Sequence, residues 1–215
     1  VVRPLSNSLM SLYFSIPSIA KAAVFVALIG LIGGCDKSTG GRPQFNHTDI
    51  TGADFAREFE LTSHHGQSVG LTDFKGKVVV LFFGFMHCPD VCPTTLSELN
   101  VVTERLGADA KHVQVLFVTV DPERDTLEKL GSYMGAFNPD FLGLSGTADE
   151  IAAVTQEFKV IYQKTEGSMP DTYSVDHSAG TYVFDRDGRV RLFVSYGANP
   201  DELTSDILQL IKEPL

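Results

Sequence analysis

Two eight-residue runs constrain this chain more than any other feature: Val78–Phe85 (VVVLFFGF) and Val113–Val120 (VQVLFVTV). Both are almost continuously apolar and rich in β-branched and aromatic residues, the pattern of parallel strands covered on both faces. Between them Leu96, Leu99, Val102 and Leu106 recur at spacings of three and four. That spacing predicts a helix over Pro93–Leu106, with Pro93 at its first position. Strand, helix, strand makes a right-handed crossover unit, and the two strands belong at the centre of a sheet.

Further along, Thr126–Ala136 and Ala148–Phe158 carry helical patterns. Thr181–Asp185 and Arg189–Val194 flank an Asp187-Gly188 turn as an antiparallel hairpin, and Glu202–Ile211 closes the chain as a helix. This order is that of an α/β fold, a thioredoxin-like sandwich. Phe59–Leu71, with a turn at His65-Gly66, predicts an N-terminal β-hairpin extension to it. No internal repeat is present. The 170 residues of 46–215 are enough for one core without disulfide staples.

No acidic residue occurs before Asp36, while Arg3 and Lys21 precede the 13-residue apolar run Ala22–Gly34. Such a run is shorter than the roughly 17–25 residues of a membrane span but suits the apolar part of an export signal. It ends in Leu31-Ile32-Gly33-Gly34-Cys35, which resembles a bacterial lipobox whose cysteine is acylated and becomes the mature N-terminus. An uncleaved anchor is the other reading. Residues 1–34 are thus expected to be a signal peptide or membrane anchor, 35–45 a flexible tether, and 46–215 the folded domain on the extracytoplasmic, periplasmic face of a bacterial cytoplasmic membrane. The chain begins at Val1, and a start at a non-AUG codon or at Met10 fits the same leader.

The net charge is −10, and loss of the leader leaves 15 basic residues against 27 acidic ones, a net of −12. A nucleic-acid backbone is repelled by such a field, so no nucleic-acid partner is expected.

Chemistry concentrates at Cys88-Pro89-Asp90-Val91-Cys92-Pro93, where the first buried strand ends and the helix begins. Ligands usually bind at that edge of an α/β sheet. Two cysteines four apart can converge, and a helix N-terminus favours the thiolate needed as nucleophile or metal ligand. Soft thiolates select Cu(I), zinc or iron–sulfur centres. A disulfide that only staples this short loop removes little unfolded-state entropy and is the weaker reading. Three residues separate the cysteines rather than the two of a thioredoxin motif. Phe85 also stands where a peroxiredoxin-type peroxidase has a Thr or Ser.

Gly84-Phe-Met-His-Cys-Pro-Asp-Val-Cys-Pro-Thr-Thr-Leu96 resembles the signature segment of the Sco/SenC copper-protein family. Val118-Thr-Val-Asp-Pro-Glu-Arg-Asp-Thr-Leu127 is similar to that family's second signature, and Val175-Asp-His-Ser178 to its histidine segment. Met86 departs from the Thr common there. The resemblance implies one copper ion, Cu(I) or Cu(II), held by Cys88, Cys92 and His177. It implies a role in assembling the CuA centre of cytochrome c oxidase, with subunit II or another copper or thiol protein as partner and Cys35 as the attachment to the membrane. His177 lies 85 residues beyond Cys92, so only the fold can bring it near.

Around these residues the expectations are smaller. His87 is expected at the surface or outside the ligand set, and Asp90 as a loop acid that tunes the thiols, meets a partner or is simply solvated. Asp121, Arg124 and Asp125 are expected to order a loop or face a partner, and Asp176 to orient His177 or cap a turn. His47, His64 and His65 are expected at the surface. Two functions remain open: a metallochaperone that delivers copper or prepares thiols, and a membrane-anchored thiol-disulfide oxidoreductase in which Cys88 and Cys92 are the catalytic redox pair. A copper site requires His177, whereas a redox dithiol does not.

Overall fold

Val78–Gly84 (β4) is buried at all seven positions and pairs in parallel with Val113–Thr119 (β5), from Val78 opposite Val113 to Gly84 opposite Thr119. The computed structural model of the chain describes residues 44–166 and 173–214. Among these, an eight-stranded sheet has the order β1-β10-β9-β4-β5-β6-β2-β3, which puts the two apolar strands at its centre. The remaining strands are Thr48–Asp49 (β1), Glu60–Ser63 (β2), Ser68–Gly70 (β3), Leu142–Ser145 (β6), Gly180–Phe184 (β9) and Val190–Ser195 (β10). Tyr162–Glu166 (β7) and Tyr173–His177 (β8) form a separate two-stranded antiparallel sheet.

Four α-helices accompany the sheet among the described residues: Val91–Leu106 (α1), Leu127–Phe137 (α2), Ala148–Glu157 (α3) and Pro200–Lys212 (α4). α1 packs against α4, and α2 lies along β6. Three of the four starts are capped by a side chain. Thr126, Thr147 and Asn199 cap α2, α3 and α4 by accepting hydrogen bonds from backbone amides of the first turn, and Pro200 opens α4. This is the thioredoxin-like α/β sandwich, with β2–β3 as the expected N-terminal hairpin.

α1 starts two residues earlier than its apolar spacing predicts, so Pro93 is the third helical residue rather than the first. The first turn of a helix has no intrahelical partner for its amides, so a proline costs no hydrogen bond there. The shift places Cys92 inside the first turn.

The core joins β4, β5, β9 and β10 to the helices through large side chains. Phe83, Phe158 and Tyr182 meet edge-on with ring centroids 5.2–6.4 Å apart, and the Tyr182 hydroxyl donates to the Phe158 carbonyl at 2.6 Å. Burying each such side chain stabilises the fold by about 1.5–3 kcal/mol. The strand that leads into the cysteine loop is therefore part of this buried aromatic core.

Two histidines expected at the surface are not there. His47 is 8% exposed at its side chain and bonds through Nδ1 to Asp206 of α4 at 2.8 Å. Asp206, itself buried, also accepts the backbone amides of Asn46 and His47, so it fastens the chain where it enters the domain. The partly buried His64 accepts the Gly143 amide at Nδ1, 3.0 Å away, joining the β2–β3 hairpin to β6. His65 is exposed as expected.

Candidate functional site

β4 runs out at Gly84, and the chain turns through Phe85–Cys88, with the Cys88 amide donating to the Phe85 carbonyl at 3.3 Å. α1 then begins. Cys92 is fully buried and Cys88 partly so, neither is in a disulfide, and the Cys92 amide donates to Cys88 Sγ at 3.4 Å. The helix N-terminus thus turns one of its unpaired amides onto a sulfur, which is how such an end stabilises negative charge.

Glycine at position 84 is what lets Cys92 sit this deep. A Cβ there would stand 2.8 Å from Cys92 Sγ and 2.8 Å from Phe117 Cε2, so the sulfur packs directly on strand backbone. Burial raises the Cys92 thiol above its ordinary pKa, and the neighbouring Cys88 sulfur and Asp125 carboxyl push the same way. The helix N-terminus was expected to favour the thiolate, but at Cys92 desolvation outweighs it. A metal taking this sulfur as thiolate must therefore displace a proton.

The second signature forms the loop between β5 and α2. Asp125 is fully buried and accepts the Met86 amide at 3.0 Å and the Thr119 hydroxyl at 2.6 Å. Its own pKa is raised by desolvation, opposed by those two hydrogen bonds. Asp121, also fully buried, accepts from Arg124 Nε and, at 2.6 Å, from the Tyr173 hydroxyl. Ordering the loop was the right expectation for these acids. Facing a partner was not, because neither reaches the surface.

His87 is exposed, its Nδ1 3.8 Å from Asp125 Oδ1. Asp90 is an exposed loop acid that accepts from the Thr94 hydroxyl at 3.4 Å. The side chains of Asp176 and His177 lie outside the described residues, as do the leader, Cys35 and the tether as far as Pro43. The backbone of His177 ends β8 opposite Tyr162. Three residues later β9 begins and runs antiparallel to β4, with Thr181 opposite Phe82. The segment after His177 therefore enters the sheet at the end where β4 gives way to the cysteine loop.

Among the described residues no group of three or more His, Cys, Asp or Glu is placed to hold a metal, and none of the helices is long and apolar enough to cross a membrane. The cysteine pair supplies two soft donors. Sequence reasoning missed Tyr173, the partner of Asp121 and Arg124. Nothing local marks it, since Arg124 and Tyr173 are 49 residues apart.

A cysteine pair outside any disulfide, at a strand–helix junction in a thioredoxin-like sheet, defines the class as a thiol-bearing α/β domain. A family model described as SCO1/SenC matches residues 47–212. "Protein SCO2 homolog, mitochondrial" of Bos taurus is 34% identical over 200 residues, covering 89% of this chain and 75% of that protein. Bradyrhizobium japonicum ScoI, solved with copper bound, is 39% identical with a TM-score of 0.67, over 73% of this chain and 99% of that one. Apo Sco1 of Thermus thermophilus is 41% identical with a TM-score of 0.69, over 80% of this chain and 99% of that one. The chain belongs to the SCO1/SenC family.

Proposed function

We propose that this protein binds one copper ion through Cys88, Cys92 and His177 and assists assembly of the CuA centre of cytochrome c oxidase, by delivering copper or preparing thiols on subunit II. The observation that carries this reading is the adjoining cysteine pair, with Cys92 N donating to Cys88 Sγ at 3.4 Å, at the sheet end that the His177 segment enters. Two thiolates and an imidazole suit Cu(I), and the nitrogen extends the set to Cu(II). The copper-bound relative supports the choice of metal. Placement at the periplasmic face, as a lipoprotein acylated at Cys35, rests on the leader; mass spectrometry finding an intact leader with an unmodified Cys35 would replace it with an uncleaved anchor.

A thiol-disulfide oxidoreductase is the second reading, favoured by the unequal burial of the pair: Cys88 is partly open to an incoming sulfur and Cys92 is closed off. Metal analysis of the whole reduced chain tests the first. One Cu(I) per chain is expected, with tight binding lost in Cys88→Ser, in Cys92→Ser and on oxidation to the disulfide. Undiminished loading of the double serine variant would sink the site. His177→Ala should weaken Cu(II) binding severely and Cu(I) binding less, because both sulfurs remain. If that variant loses copper yet matures the oxidase in cells while Cys88→Ser does not, the oxidoreductase reading takes over.

A further inference from the structure

The β7–β8 hairpin stands apart from the main sheet and is joined to the domain at one end, through Val160-Ile161 before β7 and Ser178-Ala179 after β8, with the Ser178 amide donating to the Ile161 carbonyl at 2.9 Å. At the other end of β8, the Tyr173 end, the hairpin meets the loop Asp121–Asp125. Arg124 Nη1 donates to the Tyr173 carbonyl at 2.9 Å, and the guanidinium lies over the Tyr173 ring, 3.5 Å from its centroid. The Tyr173 hydroxyl donates to Asp121 at 2.6 Å, and Arg124 Nε donates to the same carboxylate. Further out, Lys164 of β7 pairs with Glu123 at 2.7 Å.

This loop reaches the cysteines as well. Its last residue, Asp125, accepts the Met86 amide two residues before Cys88. The loop is itself a tight turn, since the Arg124 and Asp125 amides both donate to the Asp121 carbonyl. Five residues therefore bracket the cysteine loop on one side and the hairpin on the other.

We propose that Arg124 and Tyr173 are positioning residues for the metal site: they latch the Tyr173 end of the hairpin to the bracket and so fix the direction of β8, which ends in His177. This rests on the copper reading given above. A hairpin tied at both ends has one direction, whereas one tied only at its Ile161–Ser178 end, where the Ser178 amide donates to the Ile161 carbonyl at 2.9 Å, can pivot and carry His177 with it. Metal ligation tolerates displacements of only a few tenths of an ångström, so the pivot alone is enough to lose a ligand. The ring stacking and the two-sided use of the guanidinium require arginine, since lysine offers neither.

Amide hydrogen exchange of the metal-free chain reads the latch without copper. In Arg124→Met, protection across Tyr162–Glu166 and Tyr173–His177 should fall while β4 and β5 keep theirs. Cu(II) affinity should fall by about 10–100-fold, as on loss of an outer partner of a metal ligand. Tyr173→Phe removes only the hydroxyl bond to Asp121, and should give the same changes in smaller degree where Arg124→Met fails to fold. In a His177→Ala background, Arg124→Met should cause no further loss of Cu(II) affinity, because the two act through one ligand. Unchanged exchange in the hairpin, or a loss that adds in full to that of His177→Ala, overturns the proposal. If His177→Ala leaves Cu(II) affinity intact, the ligand reading fails instead, and the exchange result still decides whether the latch exists.

Discussion

Cys92 has no exposed surface and rests on the backbone of a glycine in a fully buried strand, whereas β7 lies outside the eight-stranded sheet with Gln163, Lys164 and Thr165 all exposed. The sulfur end of the site is thus built by the core and shares its stability. The strand that ends in His177 belongs to a hairpin whose backbone bonds are largely its own, with Val175 buried and the Arg124–Tyr173 contact holding it from outside. A segment with few buried apolar contacts opens locally at a lower free energy than the strands of a core. On the proposed copper reading, the sulfurs would stay with the core while the hairpin that ends in His177 is the part able to move.

The largest effect is expected where the core meets the sulfur. In Gly84→Ala the added methyl would lie 2.8 Å from both Cys92 Sγ and Phe117 Cε2, and neither is the far end of a flexible chain. Overpacking of this kind costs about 1–3 kcal/mol, read as a lower denaturant midpoint, with faster alkylation or altered metal binding at the displaced thiol. If Gly84→Ala is as stable as the parent, the core does not hold the sulfur, and the contrast with the hairpin collapses.

A smaller effect should come from the β2–β3 hairpin, which lies at the far side of the sheet and serves as a control. Burial, and then His65 with its ring centroid 4.0 Å away, lower the pKa of His64. Protonation at Nδ1 would also cost the bond from the Gly143 amide. Because the folded pKa lies below the unfolded one, the unfolded chain takes up the proton first. Stability is therefore full above the ordinary histidine value of about 6.5 and declines as pH falls through it toward the folded pKa. Denaturant midpoints between about pH 8 and pH 5 should show this slope, His64→Asn should flatten it, and copper binding should be unchanged in the variant. A slope that survives His64→Asn belongs to other groups.

What was legible in the sequence follows the same division. β4, β5 and α1 announce themselves because burial on two faces demands unbroken apolar runs and burial on one demands a three-to-four spacing. The cysteines stand at their junction, so their place followed from those elements. β6 is four residues with a glycine inside, too short to carry a period, and β1 is two exposed residues paired with β10. β7 reads Tyr-Gln-Lys-Thr-Glu, with no apolar alternation, because it faces solvent and buries little. Tyr173 and Asp206 carry contacts between segments 49 and 159 residues apart, and such pairs exist only once the chain has folded. The buried acids of the second signature were visible as a motif, but not their partners.

The smallest effect sharpens the hairpin side alone. Among its contacts with the bracket, Lys164–Glu123 is the outermost, with the two side chains 44% and 66% exposed, whereas Arg124 is 22% exposed and its partner Asp121 is fully buried. An exposed pair gains little Coulomb energy in water, costs side-chain entropy to hold, and is worth about 0–1 kcal/mol. Glu123→Gln should therefore loosen the hairpin slightly at low salt, seen as faster exchange across Tyr162–Glu166, and the difference from the parent should vanish near 1 M salt, where the screening length is about 3 Å. Arg124→Met should keep its larger effect at either salt, since its losses include a partly buried hydrogen bond to the Tyr173 carbonyl and a ring contact, both screened little by ions. If Glu123→Gln instead frees the hairpin as fully as Arg124→Met, the ion pair rather than the stacked guanidinium holds it, and the hairpin's position becomes a function of ionic strength.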